Sequence, residues 1–337
     1  MTVLLTGGGG YIGSHTAYAL ADAGESVVVI DDLSTGFRSA LPKSTPLFVG
    51  DVGNQTLVTE IIRTHAVTEI IHFAASLVVP DSVHDPLAYY RNNTMSARAL
   101  LEVAVKTGVR RFIFSSTAAV YGNPARVPVA ETAAPAPLSP YGSSKLMTEI
   151  MLRDVAAAHG LKYVILRYFN VAGADPKLRT GQSTVGATHL IKVAVETALG
   201  LRPQIEVYGT DYNTPDGTCI RDYIHVTDLV RAHLDALAHL RRGGANDTLN
   251  CGYGHGYSVL DVIKAVKGAS GRDFVVRLGA RRPGDPAAII ADAARIRATV
   301  GWTPQFDDLD TIIAHALAWE RRLAATRGAA VPLGGQH

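Results

Sequence analysis

Cysteine is nearly absent from this chain: 337 residues hold two, Cys219 and Cys251. They lack the paired spacing of a zinc ribbon or a disulfide framework, so free thiols and a reducing compartment are expected. Charge is sparse as well, at 18% of residues, and the 32 Lys and Arg nearly cancel the 30 Asp and Glu without any run of like sign. That excludes a basic stripe for nucleic acid and a cationic patch for a membrane surface, and points to a small-molecule partner. No uncharged apolar stretch approaches the ~18 residues of a membrane span. The residues after Met1 run at once into glycines instead of a cationic and then apolar leader, so a cytoplasmic protein is expected. The 12 histidines are scattered without metal-ligand spacing, so no metal is expected. No phosphate loop, zinc-protease His pair or nucleophile elbow occurs.

What the chain does hold is apolar: 47% hydrophobic residues, with 32 Gly and 16 Pro spread along its length, the composition of a compact globular protein. Its length exceeds the roughly 250–300 residues that one core supports, which predicts a large domain with a smaller lobe. Short apolar runs at 3–5, 26–30, 47–49, 69–73, 111–114 and 161–167 alternate with amphipathic stretches at 12–23, 54–64, 92–107 and 141–158. This β-α alternation predicts a doubly wound parallel sheet of the dinucleotide-binding Rossmann type with helices on both faces. The runs are apolar nearly throughout, as strands covered on both sides must be. Segments 174–182 and 209–218 read as loops, where ligands usually sit in such folds. A helix at 224–240 and a strand at 247–252 return to the main sheet, and helices at 258–268 and 307–323 belong to the smaller α/β substrate lobe. The expected division is 1–175 with 224–253 for the dinucleotide, and 176–223 with 254–337 for the substrate.

Gly7, Gly10 and Gly13 directly follow the first strand and open a helix, where main chain can approach a pyrophosphate and unpaired helix N–H groups can hold it. Asp31 ends the second strand, placed to bind both hydroxyls of an adenosine ribose, and its charge would repel a 2′-phosphate, so NAD is favoured over NADP. Asp51, after the third strand, can reach the adenine amino group or simply cap its own loop. Tyr141 and Lys145 stand at i and i+4 just past Pro140, hence on one helical face. A phenol that titrates near ~10 acts as a base near neutrality only beside a cation, which Lys145 and an oxidised nicotinamide can provide. Thr117, ending the fifth strand on the same sheet edge, can bond a substrate oxygen and guide its proton to Tyr141.

With Gly-Gly-Tyr-Ile-Gly-Ser-His at 9–15, Phe-Ile-Phe-Ser-Ser-Thr at 112–117, Ser-Pro-Tyr-Gly-Ser-Ser-Lys at 139–145, Arg-Tyr-Phe-Asn at 167–170, Asp-Gly-Thr-Cys-Ile-Arg-Asp-Tyr-Ile-His-Val at 216–226 and Arg-Arg-Pro-Gly-Asp at 281–285, the chain resembles the extended short-chain dehydrogenase/reductases and, within them, the UDP-glucose 4-epimerases. The resemblance implies a homodimeric isomerase that interconverts UDP-glucose and UDP-galactose. Tyr141 takes the proton of the sugar 4-hydroxyl while C4 is oxidised by tightly held NAD; the 4-keto sugar then turns over and is reduced on its opposite face. It also implies cofactor contacts at Tyr11, Ile12, Val52, Phe73, Ala74, Ala75, Asn93 and Phe169. The UDP-hexose would meet Thr117, Tyr141, Asn170, Arg221, Arg282 and Asp285, with the arginines clamping phosphates and Asp285 on the uridine ribose.

Four positions depart from the family pattern. Leu77 stands where a lysine is common near the nicotinamide ribose, Thr117 replaces a frequent serine, and His189 replaces an asparagine on the diphosphate, which would add pH sensitivity. Ile289 falls where a tyrosine narrows some members' pockets, so activity on UDP-N-acetylglucosamine is an added expectation. Related dehydratases and decarboxylases carry acids just after the strand-five hydroxyl; here those positions are Ala118 and Ala119, and an elimination lacks its acid. A non-catalytic NAD sensor on the same fold is the alternative of another class, which the intact Thr117, Tyr141 and Lys145 oppose. The helices at 92–107 and 141–158 are the candidate dimer faces.

Overall fold

The computed structural model describes residues 1–282 and 285–329, and the final eight expected lobe residues, like Pro283 and Gly284 of the arginine motif, lie outside them. The chain begins β1 (Thr2–Thr6), α1 (Tyr11–Asp22), β2 (Ser26–Asp31), β3 (Leu47–Val49), α2 (Gln55–Thr64), β4 (Val67–His72). It continues through α3 (Val79–His84), α4 (Pro86–Tyr89), a π-helical turn (Tyr90–Met95), α5 (Ser96–Thr107), β5 (Arg111–Thr117), α6 (Pro140–His159) and β6 (Lys162–Tyr168). With β11 (Asp247–Cys251) these strands make a seven-stranded sheet in the order β11-β6-β5-β4-β1-β2-β3, every pair parallel. The strand order reverses between β1 and β4, and the crevice there, at the carboxyl ends, is where ligands of such sheets bind.

The two faces of the sheet explain its apolar strands. Leu4, Val28, Ile30, Ile70, Phe112, Phe114 and Ile165 point to α2, α5 and α6. Val3, Leu5, Val29, Ile71, Ile113, Val164 and Leu249 point to the opposite face, where α1 packs on α8 (Val226–Arg241). Helix starts are capped by short polar side chains: Asn54 accepts from Leu57 N at 3.2 Å, and Ser139 accepts from Gly142 N at 3.2 Å just before Pro140.

The second core face continues into the remaining elements. After β7 (Asn170–Ala172) come α7 (Leu190–Ala198), β8 (Ile205–Tyr208), β9 (Ile220–Arg221) and β10 (Tyr223–His225), the last paired in parallel with β7. Beyond β11 follow β12 (Tyr257–Ser258), α9 (Val259–Ser270), β13 (Val276–Gly279), β14 (Ala288–Ile289), α10 (Ala294–Val300) and α11 (Leu309–Ala329). Helices α7, α9 and α11 pack together, and β9 lies between β12 and β14.

Three differences from the sequence expectations have physical reasons. Strand β5 extends past its apolar run at 111–114 to end at Thr117, where that residue is expected, because Ser115, Ser116 and Thr117 stay in register with Leu166, Arg167 and Tyr168 of β6, and the side chains of Ser115 and Ser116 find buried partners. The helix expected from 92 begins as a π turn that carries Asn93 inward. Helices α7 and α10 and the two- to four-residue strands of the C-terminal region were not expected, since short apolar runs carry no decisive period.

Candidate active site

The glycine turn is shaped by close packing. Gly7 has φ +68°, and a Cβ on it would lie 2.6 Å from Ala74 N; a Cβ on Gly13 would lie 2.3 Å from Gly7 O and 2.7 Å from Gly8 Cα. Gly10 starts α1 without any side-chain cap, so the N–H groups of Tyr11, Ile12 and Gly13 face the crevice as an anion cradle. The Tyr11 side chain turns away, donating from its hydroxyl to Gly173 O at 2.7 Å, so only its main chain belongs to the cradle. Asp31 is buried beside the turn, its Oδ2 accepting from Gly9 N and its Oδ1 from Leu33 N, both at 2.8 Å. Burial raises its pKa, with those two N–H groups acting against the shift.

Asp51 caps its own loop, accepting from Gly53 N at 2.7 Å, and Val52 beside it is buried. Phe73, Ala74 and Ala75 follow β4 along the glycine turn: Phe73 N donates to Thr6 O at 3.0 Å, and Ala74 N to Thr6 Oγ1 at 3.4 Å. Asn93 is buried and reaches this segment rather than open space. Its Oδ1 accepts from Ser76 N at 2.8 Å, and its Nδ2 donates to Ser76 O at 2.9 Å and Ser144 Oγ at 3.0 Å. Leu77, next in this segment, is half exposed.

Thr117, Tyr141 and Lys145 do converge. All three are buried, and the Thr117 side chain hydrogen-bonds the Tyr141 phenol. Burial pushes the phenol up to about 12, the Thr117 bond pulls it down, and the Tyr89 phenol pushes it further up. Lys145 Nζ donates to Ser115 O at 3.0 Å and lies 5.1 Å from the centroid of the Phe114 ring. Burial lowers its pKa to about 7, opposed by the Glu149 carboxylate one turn along the helix. By themselves these groups leave the phenol protonated at neutrality, and a positive charge beside it is what would make it a base.

The other side of the crevice is held by the C-terminal region. Arg221 on β9 donates from Nη1 to Ile220 O and Pro286 O, each at 2.9 Å, and its Nη2 lies 3.6 Å from Asp285 Oδ1. Asp285 N donates to Arg282 O at 3.3 Å, and the Arg282 guanidinium sits 3.7 Å from the Tyr208 ring centroid. Asn170 and His189 line one cavity with Gln182, whose Nε2 lies 2.9 Å from His189 Nδ1. Burial lowers the His189 pKa. Phe169 and Ile289 are buried in an apolar cluster with Ala118, Tyr121 and Val129.

Sequence reasoning missed Glu149, on the buried face of α6, and Arg167 of β6, an ion pair at 2.6 Å, although Arg167 stood in a quoted motif. It also missed Asp222, which accepts from Tyr253 N, Gly254 N and Ala291 N and so ties three chain segments behind Arg221. Its place beside Arg221 in the 216–226 motif was the available signal.

The sheet, the glycine turn and the Tyr-x-x-x-Lys helix define a dinucleotide-binding α/β protein of the oxidoreductase-like kind. Residues 3–252 match the NAD dependent epimerase/dehydratase family, and the chain belongs to that family. It is 56% identical over 333 residues to a UDP-glucose 4-epimerase of Azospirillum brasilense, covering 99% of this chain and 96% of that one. The crystal structure of UDP-glucose 4-epimerase from Brucella ovis in complex with NAD is 46% identical, with a TM-score of 0.91 over 94% of this chain and 97% of the other. The UDP-Glc/GlcNAc 4-epimerase from Campylobacter jejuni is also 46% identical, with a TM-score of 0.83 over 95% and 99% of the two chains.

Proposed function

We propose that the chain is a UDP-glucose 4-epimerase, an isomerase that interconverts UDP-glucose and UDP-galactose through a 4-keto sugar. The observation that carries this reading is the meeting of Thr117, Tyr141 and Lys145 at the crevice end of β5, beside the glycine turn and with alanines at 118 and 119. The uncapped start of α1, the close main-chain packing that admits no Cβ at Gly7 and Gly13, and the buried Asp31 carboxylate suit NAD, which Phe73, Ala74, Ala75, Val52 and Asp51 would flank. When bound, NAD would supply reversible two-electron oxidation at C4 and, in its oxidised form, a positive charge.

The residues of the chain supply the rest. Tyr141 removes the proton of the 4-hydroxyl and returns it to the same oxygen when the keto carbon is reduced on its opposite face, and the Thr117 hydroxyl orients that oxygen. The Lys145 ammonium favours the phenolate. Arg221 and Arg282 clamp the diphosphate, Asn170 and His189 bind beside it, and Asp285 takes the uridine ribose, so the nucleotide stays fixed while the keto sugar turns. The buried, compact Ile289 behind Ala118 supports additional turnover of UDP-N-acetylglucosamine, in line with the double substrate of the Campylobacter jejuni relative.

The division into 1–175 with 224–253 for cofactor, and 176–223 with 254–337 for substrate, is part of the proposal; β11 pairing in the main sheet supports it. So is a homodimer through the face of α3 to α6, where Val83, Leu87, Met95, Met147 and Ile150 are exposed. Buried unpaired Cys219 and Cys251 support a reducing, cytoplasmic location, and no helix among the described residues is long and apolar enough to cross a membrane.

Purified protein incubated with UDP-galactose, without added NAD, should yield UDP-glucose by proton NMR of the anomeric signals. Tyr141→Phe should lower the rate by about 10³-fold, within the range for a lost general base. No conversion by the unaltered protein, even with NAD supplied, would reject the reading.

A further inference from the structure

The mechanism above leaves one fully buried charge on the catalytic helix without a task. Tyr141, Lys145 and Glu149 follow one another at four-residue steps along α6 and share its buried face. The Glu149 carboxylate accepts four hydrogen bonds. Ser116 Oγ donates at 2.6 Å and Arg167 Nε at 2.9 Å to Oε1; Arg167 Nη2 at 2.6 Å and Arg153 Nη2 at 2.8 Å donate to Oε2. A buried ion pair is no better for stability than apolar residues of the same volume, so its placement asks for another reason.

That reason lies in what the partners touch. Ser116 sits between Ser115, whose carbonyl accepts from Lys145, and the hydroxyl-bearing Thr117. Arg167 belongs to β6 and passes its remaining contact, Nη1 to Tyr121 Oη at 3.0 Å, toward Asn250, which accepts from that hydroxyl at 2.7 Å. One carboxylate thus ties α6, β5 and β6 together at the level of the catalytic groups.

We propose that Glu149 is a positioning residue for the epimerisation: through Ser116 it fixes Thr117 against the α6 side chains, and its carboxylate, one helical turn from Lys145 on the same buried face, sets a negative charge behind that side chain. The proposal rests on the reading of Thr117, Tyr141 and Lys145 as the catalytic set. Of the titratable groups around Lys145, Tyr141 and Glu149 come from α6, His72 from the end of β4 and Arg167 from β6, with Arg153 outside the carboxylate. His72 is held neutral, its pKa lowered to about 3 by burial, so Glu149 is the negative group that opposes the desolvation of Lys145.

The experiment compares kcat, KM and the pH profile of kcat for UDP-galactose in the unaltered protein, Glu149→Gln, Glu149→Asp and Ser116→Ala, each checked for bound NAD. Glu149→Gln should lose roughly 10- to 100-fold in kcat with KM within about two-fold, the scale of a displaced catalytic group. Its alkaline limb should move to lower pH, because without the negative charge Lys145 gives up its proton earlier. Glu149→Asp should restore the position of that limb while the rate stays low. Ser116→Ala, which strands no charge, should lower kcat with the limb in place.

A folded Glu149→Gln whose limb does not move overturns the electrostatic half. Ser116→Ala at the unaltered rate overturns the positional half, including where Glu149→Gln fails to fold; in that case a limb displaced in Glu149→Asp overturns the other. Competitive acetylation of Lys145, read on its peptide by mass spectrometry, reports its protonation without turnover. An inactive unaltered protein would therefore reject the epimerase reading while Glu149 is still judged by that titration.

Discussion

Around Gly7 to Gly13 the surface offered to a ligand is main chain, walled by Ala74, Gly8 and the buried Asp31, and a single methyl group would collide with backbone that cannot yield. Around Arg221 and Arg282 the surface is side chain, carried on short strands and loops, with Arg221 braced by Pro286 O and Asp285 and Arg282 by the ring of Tyr208. The first is a fixed mould and the second a set of adjustable clamps. A reaction that must hold its oxidant through every cycle, yet let a keto sugar turn over, has use for both.

The contrast breaks most sharply at Gly13→Ala. Its Cβ would stand 2.3 Å from Gly7 O, and relief would require the turn itself to open. The purified variant should carry no bound nicotinamide, by fluorescence or by release on denaturation, and should lose activity without UDP-galactose binding falling in parallel. Arg221→Gln is the counterpart. It should keep NAD and raise KM for UDP-galactose roughly 10- to 100-fold, the value of one charge-assisted clamp, with a smaller change in kcat. Loss of NAD from Arg221→Gln would erase the distinction.

The same contrast explains how much could be read from the sequence. The mould is local: a strand, three spaced glycines and an acid closing the next strand lie within one βαβ unit, and the strand and helix limits there were legible to within a residue or two. Tyr141 and Lys145 were legible because helix geometry places i and i+4 together. Glu149 continues that series and was still missed, since a charged residue defaults to the surface and only the fold brings Arg167 and Ser116 to it. Asn93 was assigned to the cofactor, whereas its side chain is taken up by Ser76 and Ser144; nothing in the sequence could reveal a π turn at that place. On the clamp side α7 went unrecognised because nine residues are too short a run to settle the period, and its charges, Lys192 and Glu196, are buried instead of marking a solvent face.

Substrate range sharpens the comparison more gently. Ile289 pairs in register with Arg221 and packs with Phe169 and Ala118, so it links the clamp strands to the end of β5. Ile289→Tyr should lower turnover of UDP-N-acetylglucosamine relative to UDP-galactose by about 10-fold, a pocket discrimination of one to two kcal/mol. Overpacking would cost about 1–3 kcal/mol of stability, so thermal unfolding is measured alongside. An unchanged ratio in a folded variant defeats the idea that this position sets the range.

The smallest effect concerns acid. His15 on α1, His72 ending β4, His225 ending β10 and His233 on α8 are buried along the mould and the seam behind it, and burial lowers their pKa values to about 4, 3, 3 and 4. Each stays neutral in the folded chain, while an unfolded histidine takes up a proton below about pH 6.5. Between about pH 6.5 and 4 the unfolded chain therefore binds more protons, and stability falls as pH falls through that window. Asp31 and Asp222, whose pKa values burial raises, act in the opposite sense. At about pH 5 each histidine subtracts at most about 2 kcal/mol. The melting temperature should drop between pH 7 and 5 with bound NAD held constant. His15→Met, which removes a ring whose Nε2 has no partner among the described residues, should make the drop shallower. A melting temperature that stays level across the window would mean that these rings accept protons in place, and that the seam behind the mould is as yielding as the clamps.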